Sequence, residues 1–389
     1  VVERPPTKAP SPLASAAEIL AGARVAFVAD QFADAPRTPD EPYPGGAELT
    51  DAAALEAAPI PVTCLRTAEL RPEEVADFDL LILGNLEAAS PRLLEALAAH
   101  GRHVLFEHDL RLCRWRGNFP SAHDAMHRRG ATCTCPNPAV HTLFASALGA
   151  IFLTENQRRH YAKNPYYQGA PHAILGSSLM NRAFFERLDR RADPTRQDEP
   201  PREHRATICY SGSASKGFQE ALELCRTHAI EPFIIRHLRP PQVLDVLAHS
   251  QSFIYLPQAF EAAGRMPLEA RFLGARVITN RVTGIAGEPW WQLDDAAALA
   301  HVRQAPARFW QHVARFYVRP APARRKAPRA AEFTLYKGAL KPLATALSLG
   351  RAALEKSPLY PKLGQASQTL NHAIDRHQAA LSPLEPLEL

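Results

Sequence analysis

Short apolar runs recur along the chain, and most are followed by a segment that carries helix-start signals or helical periodicity. The runs fall at residues 24–30, 61–65, 79–85, 102–107, 150–153 and 173–176. They are continuous rather than alternating, which is the pattern of strands buried on both faces of a parallel sheet. Between them, Ser90 followed by Pro91 predicts a helix reaching His100, with the serine as N-cap and the proline at the first helical position. Thr154 and Gln157 have the spacing of a capping box for a helix reaching Tyr161. The first half therefore reads as a Rossmann-like domain.

Residues 189–205 break the pattern. They are highly charged and carry no aliphatic side chain beyond alanine, so they read as an interdomain linker. A second alternation then begins at 206–210 and continues through 232–236, 252–256 and 276–279. The expected organisation is a Pro/Ala/Ser-rich disordered leader (1–16), an N-terminal Rossmann-like acceptor domain (17–188), the linker (189–205), and a C-terminal Rossmann-like nucleotide-sugar domain (206–320). A basic, Pro-rich segment with C-terminal helices (321–389) follows, in which Leu340, Leu343, Leu347 and Leu354 form an amphipathic stripe predicted to fold back across the domains.

Composition narrows the picture only a little. A chain of 389 residues suits two or three domains, and 46% apolar with 22% charged residues allows cores and excludes global disorder. The 35 prolines, a high number, gather in the stretches read as linker and tails. A net charge of +5 suits anionic ligands but does not by itself argue for nucleic acid. No apolar stretch approaches the ~18 residues a membrane span needs, and no cleavable signal pattern is recognisable. Six cysteines are too sparse for a disulfide framework; Cys64 and Cys209 sit in strand-like runs and are expected to be buried thiols. A reducing, cytoplasmic setting is the expectation.

The chemistry concentrates at four places. Glu261 and Glu269 stand seven residues apart, the first on a loop after a strand and the second in the early turns of a helix predicted to start at Pro267. Between them, Gly264, Arg265 and Met266 bring a permissive backbone position and a cation to the loop, where the helix start offers unpaired N–H groups to an anion. Upstream, Gly45 and Gly46 precede another helix start. His108 and Asp109 follow a strand directly, at the edge of any cleft the sheet's carboxyl ends would line. Lys216, in a Gly/Ser-rich loop with Ser213, puts a point charge at a helix start after the first strand of the second half.

Taken together, these places resemble retaining glycosyltransferases of the GT-B fold with a Glu-x7-Glu signature, the group that includes glycogen and sucrose synthases. The resemblance covers most of residues 24–290. It implies an α/β, GT-B architecture: two Rossmann-like, doubly wound domains facing a central cleft, with C-terminal helices. It implies transfer of a sugar from a nucleotide-diphosphate donor, with retention and without a metal. In that group the first Glu (here Glu261) and the His (His108) lie at the donor sugar, and the second Glu (Glu269) binds the ribose. The Gly-Gly loop (Gly45, Gly46) and the Lys-Gly pair (Lys216, Gly217) hold the diphosphate. One departure stands out: Ser213 occupies the place of the group's arginine, and Arg265 or Arg236 would have to supply that charge.

No cofactor is expected beyond the nucleotide-diphosphate sugar as co-substrate. Asp109, Arg111, Arg114 and Trp115 are the acceptor-side candidates, since arginines beside an aromatic suit an anionic acceptor, whether glycan, lipid-linked or nucleic acid, and are compatible with peripheral membrane contact. Asp77 and Asp79 have the Asp-x-Asp form of metal-dependent transferases but precede a strand instead of following one. Cys113, His123, His127, Cys133, Cys135 and His141 are dense in zinc-ligand types, yet their spacing matches no common finger, so no metal site is assigned. Two rival functions remain open: a sugar-nucleotide epimerase of the same fold, and a non-catalytic nucleotide-sugar-binding protein.

Overall fold

The computed structural model describes residues 12–35, 43–113, 116, 133, 135, 137–192, 202–211 and 213–320. Among these, six strands form one parallel sheet: β1 (Val25–Ala29), β2 (Val62–Arg66), β3 (Leu80–Leu83), β4 (His103–Glu107), β5 (Gly149–Phe152) and β6 (His172–Ile174), in the order β2-β1-β3-β4-β5-β6. A second parallel sheet holds β7 (Thr207–Cys209), β8 (Phe233–Ile235), β9 (Ser252–Tyr255) and β10 (Arg276–Thr279), in the order β10-β9-β7-β8. This is the mixed α/β, two-sheet GT-B arrangement expected.

Burial explains why the runs were legible. Every residue of β1, β3, β4 and β5 is buried, so these central strands need apolar side chains on both faces. The edge strands differ. β2 and β8 are largely exposed, and Cys64, expected to be buried, is exposed because β2 is the edge strand of its sheet.

Both sheets reverse direction once. In the first, β1 is followed by β2 on one side and by β3 on the other; in the second, β7 is followed by β8 on one side and by β9 on the other. Such a reversal opens a crevice at the carboxyl ends of the two strands that flank it, the place where open α/β sheets bind ligands.

Eleven helices complete the described residues: α1 (Pro12–Leu20), α2 (Gly46–Glu56), α3 (Pro91–His100), α4 (Pro138–Ser146), α5 (Glu155–Ala162), α6 (Arg182–Ala192), α7 (Phe218–Thr227), α8 (Pro240–Ala248), α9 (Arg265–Phe272), α10 (Asp295–Arg303) and α11 (Ala305–Tyr317). Ser90 caps α3 as expected, its hydroxyl accepting from Leu93 N at 3.1 Å. Thr154 caps α5 by accepting from Gln157 N at 3.2 Å, but Gln157 returns its amide oxygen to Leu153 N, one residue earlier than a capping box requires.

Three expectations need correction. The leader does not run to residue 16: α1 begins at Pro12, because Ala16 and Leu20 find an apolar face to bury against on α11. The linker is shorter at both ends. α6 continues to Ala192, and by Arg202 the chain is already held, the guanidinium donating to the carbonyls of Ser250 (2.9 Å) and Gly274 (2.7 Å). Helix α9 starts at Arg265, capped by Gly264, rather than at Pro267, so the helix start lies two residues nearer the cleft.

The stripe at Leu340–Leu354 lies outside the described residues; within them α11 returns the chain across the fold. It packs on α1, α2 and β5, and Trp310, fully buried, donates its indole N–H to Ala54 O on α2 at 2.8 Å. No helix among the described residues is long and apolar enough to cross a membrane.

Candidate functional site

Two cavities open where the sheets' carboxyl ends meet. The smaller, of about 300 Å³, is lined by residues from both sheets' loops, among them Gly46, His108, Asp109, Lys216, Glu261 and Arg265. The larger, of about 590 Å³, has a mostly apolar wall that includes Tyr210, Leu244, Met266 and Pro267, with Gly45 and Glu269 on its polar side. Gly46, Lys216, Glu261, Gly264 and Arg265 line both, so the two form one continuous groove.

On the first-sheet side, His108 leaves the end of β4 and its Nε2 meets Asp51 Oδ1 of α2 at 2.7 Å, with the two side chains 4% and 2% exposed. Burial pulls the imidazole pKa down, but Asp51's charge and hydrogen bond, with Asp109 behind them, outweigh it and hold His108 above its ordinary value. Burial raises the Asp51 carboxyl in turn, so protonation of the two groups is coupled at the groove. Asp109 lies beside it, paired with Arg116 at 2.8 Å, and Arg116 also donates to Asn85. Gly45 caps α2 with extended backbone, and the Glu48 carboxylate of the first turn lies against it at this helix start.

On the second-sheet side, Glu261 Oε2 accepts from Lys216 Nζ at 2.5 Å and from Tyr255 Oη at 2.7 Å. Burial, reinforced by Glu261, pushes the Tyr255 hydroxyl well above its usual range, so it stays a donor. Glu269, 6% exposed, accepts from Arg265 Nε at 2.8 Å within α9, and Arg265 reaches across to Leu179 O at 2.6 Å. Burial raises the Glu269 pKa against the opposing pull of Arg265.

Two glycines make this geometry attainable. Gly217 has φ +72°, and a Cβ there would stand 1.7 Å from Leu256 O; only glycine lets the Lys216 loop lie against the end of β9. Gly264 has φ +80°, which turns the chain from the Glu261 loop into α9.

Most of the sequence-derived site residues thus converge: Gly45, Gly46, His108, Asp109, Lys216, Glu261, Gly264, Arg265, Met266 and Glu269 line the groove. Ser213 does not; it faces Ser215, Oγ to Oγ at 2.6 Å. Arg111 needs correcting. It is 5% exposed, pairs with Glu107 at 2.9 Å and donates to the carbonyls of Gly84 (2.7 Å) and Phe106 (3.2 Å), so it ties the ends of β3 and β4 together and is not available to an acceptor. Arg114 and Trp115 lie outside the described residues. Asp79 sits at the amino end of β3, away from the groove, and accepts from Arg24 N at 2.8 Å.

The sequence reading missed Asp51, Asn85 and Tyr255. Asp51 had a signal: it is a lone acid among Ala52, Ala53 and Ala54, on the side of α2 that faces the sheet. The two halves are also stitched directly, by Thr154 Oγ1 to Ala262 O (2.5 Å), Glu155 N to Glu288 Oε1 (2.7 Å) and Trp290 Nε1 to Gly176 O (2.5 Å). Among the described residues, the one cluster with metal-holding geometry is Cys113, Cys133 and Cys135, which lines neither cavity.

No protein-family model matches the chain. No curated protein matches it in sequence. Solved structures with a distant overall likeness include Anabaena HepE in complex with UDP and glucose (14% identity, 81% of this chain and 100% of that chain, TM-score 0.40). Others are AviGT4, a glycosyltransferase involved in avilamycin A biosynthesis (17%, 76% and 96%, TM-score 0.42), and an α-glucosyltransferase in complex with UDP-glucose and DNA containing an abasic site (9%, 76% and 94%, TM-score 0.39). Likeness this remote says nothing about substrate, and the functional argument rests on the groove itself.

Proposed function

We propose that the chain is a glycosyltransferase that takes a sugar from a nucleotide-diphosphate donor, with retention of anomeric configuration and without a catalytic metal. The observation that carries this reading is the groove in which His108 and Glu261, from opposite sheets, line one small polar cavity that continues into a larger apolar one. The nucleoside fits the larger cavity, with Glu269 as acceptor for the ribose hydroxyls. The diphosphate falls at the shared section, where Lys216, Arg265 and the N–H groups at the starts of α2 and α9 are gathered. Arg265 there supports it as the substitute for the arginine missing at Ser213.

The sugar then occupies the smaller cavity. His108, positioned by Asp51, donates to a sugar hydroxyl from one side, and Glu261 faces the developing positive charge from the other. The Lys216–Glu261 contact gives Lys216 a second role. With the cleft empty it neutralises the carboxylate; when diphosphate arrives, the ammonium has a competing anion and Glu261 regains charge for the sugar.

The test is binding and turnover with a panel of UDP-, GDP-, ADP- and dTDP-hexoses in the absence of added divalent cation. Calorimetry should find one donor, and Glu269→Ala should weaken it by about 1–3 kcal/mol, the cost of leaving polar partners unpaired. Unchanged affinity in that variant would sink the ribose assignment. Epimerised free nucleotide sugar without acceptor would replace the transferase reading, and turnover that appears only with Mg²⁺ or Mn²⁺ would overturn its metal independence.

A further inference from the structure

Cys113 closes the turn after β4, and the chain next appears among the described residues at Arg116, which lines the groove, and then at Cys133 and Cys135 just before α4. The three sulfurs lie within 4.8 Å of one another, with Cys113 and Cys133 each 1% exposed. Three thiolates on a tetrahedral zinc, with Zn–S near 2.3 Å, stand roughly 3.8 Å apart, so the trio needs to tighten by about an ångström at most.

The Cys135 N–H donates to Cys133 Sγ at 3.4 Å, while the contact with Cys113 and burial hold the Cys133 thiol above its ordinary pKa, so a bound metal would have to displace that proton. The buried Asn164 amide fixes Cys133 by donating to its carbonyl at 2.8 Å. Helix α4, capped by Asn137, starts just beyond Cys135, so its positive end lies beside the cluster. His141, on the first turns of α4 and only 5% exposed, lies against the Cys135 backbone.

We propose that Cys113, Cys133 and Cys135 bind one zinc ion through their three sulfurs, stapling the two ends of the 114–132 segment beside the groove. Thiolate-rich donor sets favour zinc, copper(I) or iron–sulfur clusters, and three buried cysteines that converge from separate chain positions match the thiolate side of a structural zinc site. The staple would act on the groove through Arg116, whose N–H donates to Cys113 O at 2.9 Å while its guanidinium holds Asp109.

The experiment uses the full chain, made without a polyhistidine tag and purified under reductant, with metal content read by mass spectrometry. About one zinc per chain is expected, released when a mercurial blocks the thiols. Cys133→Ser and Cys135→Ser should retain under about a tenth of that, while Cys64→Ser on the far edge strand keeps it all. If the serine variants fail to fold, cobalt(II) added to the chelator-stripped wild-type chain decides: thiolate-to-metal charge transfer and intense visible bands of tetrahedral cobalt support the site. Absence of those bands, stoichiometric iron or copper in place of zinc, full zinc in Cys133→Ser, or a Cys113–Cys133 disulfide in peptide maps each overturns it. None of these readouts depends on the transferase reading.

Discussion

Asp51→Asn is the most incisive single change, because it removes a charge and leaves the shape. In the wild-type chain the His108–Asp51 pair is almost fully buried, 2.7 Å apart. Its imidazole is held above the ordinary 6.5 by Asp51 in spite of burial. A group with a raised folded-state pKa contributes stability that is fully present below about 6.5 and is lost as the pH rises through the folded value. In the variant, burial remains and the compensating charge is gone, so His108 should titrate below 6.5 and the folded state should resist protonation. Removing one partner of a buried ion pair costs about 3–5 kcal/mol when the other must stay charged. Here the imidazole can shed its proton, and asparagine still offers an amide oxygen, so about 1–3 kcal/mol is expected near pH 6. By pH 9 both imidazoles are more nearly neutral and the difference should shrink. Urea unfolding of the two proteins at the two pH values, with the His108 ring proton followed by NMR, reads both quantities. An equal stability difference at pH 6 and pH 9, or a His108 pKa that does not fall in the variant, would refute the argument. The same variant should lose kcat with little change in donor affinity, since a neutral His108 is the weaker hydrogen-bond donor to the sugar hydroxyl it is proposed to hold in the transition state.

Two further changes probe the scaffold. Gly217→Ala forces a side chain onto φ +72° with its Cβ 1.7 Å from Leu256 O; the left-handed backbone alone costs about 1–2 kcal/mol, and the clash must also move the Lys216 loop. Melting temperature and nucleotide-sugar affinity should both fall, and a variant with wild-type values for both would show that the loop does not depend on this close approach. Trp310→Ala should cost about 3–5 kcal/mol of unfolding free energy, because the indole is fully buried and its N–H holds Ala54 O of α2. A loss below about 1 kcal/mol in urea unfolding would mean that α11 is not the latch of the first half.

What the sequence showed and what it hid divide along a physical line. Strands β1, β3, β4 and β5 were legible because burial on both faces demands continuous apolar runs, and His108, Lys216 and Glu261 were legible because strand ends mark where a doubly wound sheet opens. The partners of those residues were not. Asp51 meets His108 across fifty-seven positions of chain, and Tyr255 meets Glu261 only because β9 places its last side chain under the loop. Arg111 misled for the opposite reason. An arginine beside other arginines looks solvated, and only the fold reveals that it spans Glu107 and the carbonyl ends of two strands. The cysteines make the same point at longer range, since no local spacing announces a cluster whose members arrive from opposite ends of one loop.

These pairings carry a consequence for how the groove works. Thr154, Glu155 and Gly176 of the first half are bonded to Ala262, Glu288 and Trp290 of the second, and Ala262 is the residue next to Glu261. The Glu261 loop is therefore anchored to the opposite half at its base, and Tyr255 holds its carboxylate whether or not Lys216 stays paired with it. A site held on both sides in this way loses little freedom when a ligand arrives, so the distance between His108 and Glu261 is set by the scaffold more than by the ligand. The proposed sugar transfer would draw on that fixed distance, because preorganised groups need no reorganisation at the moment of reaction.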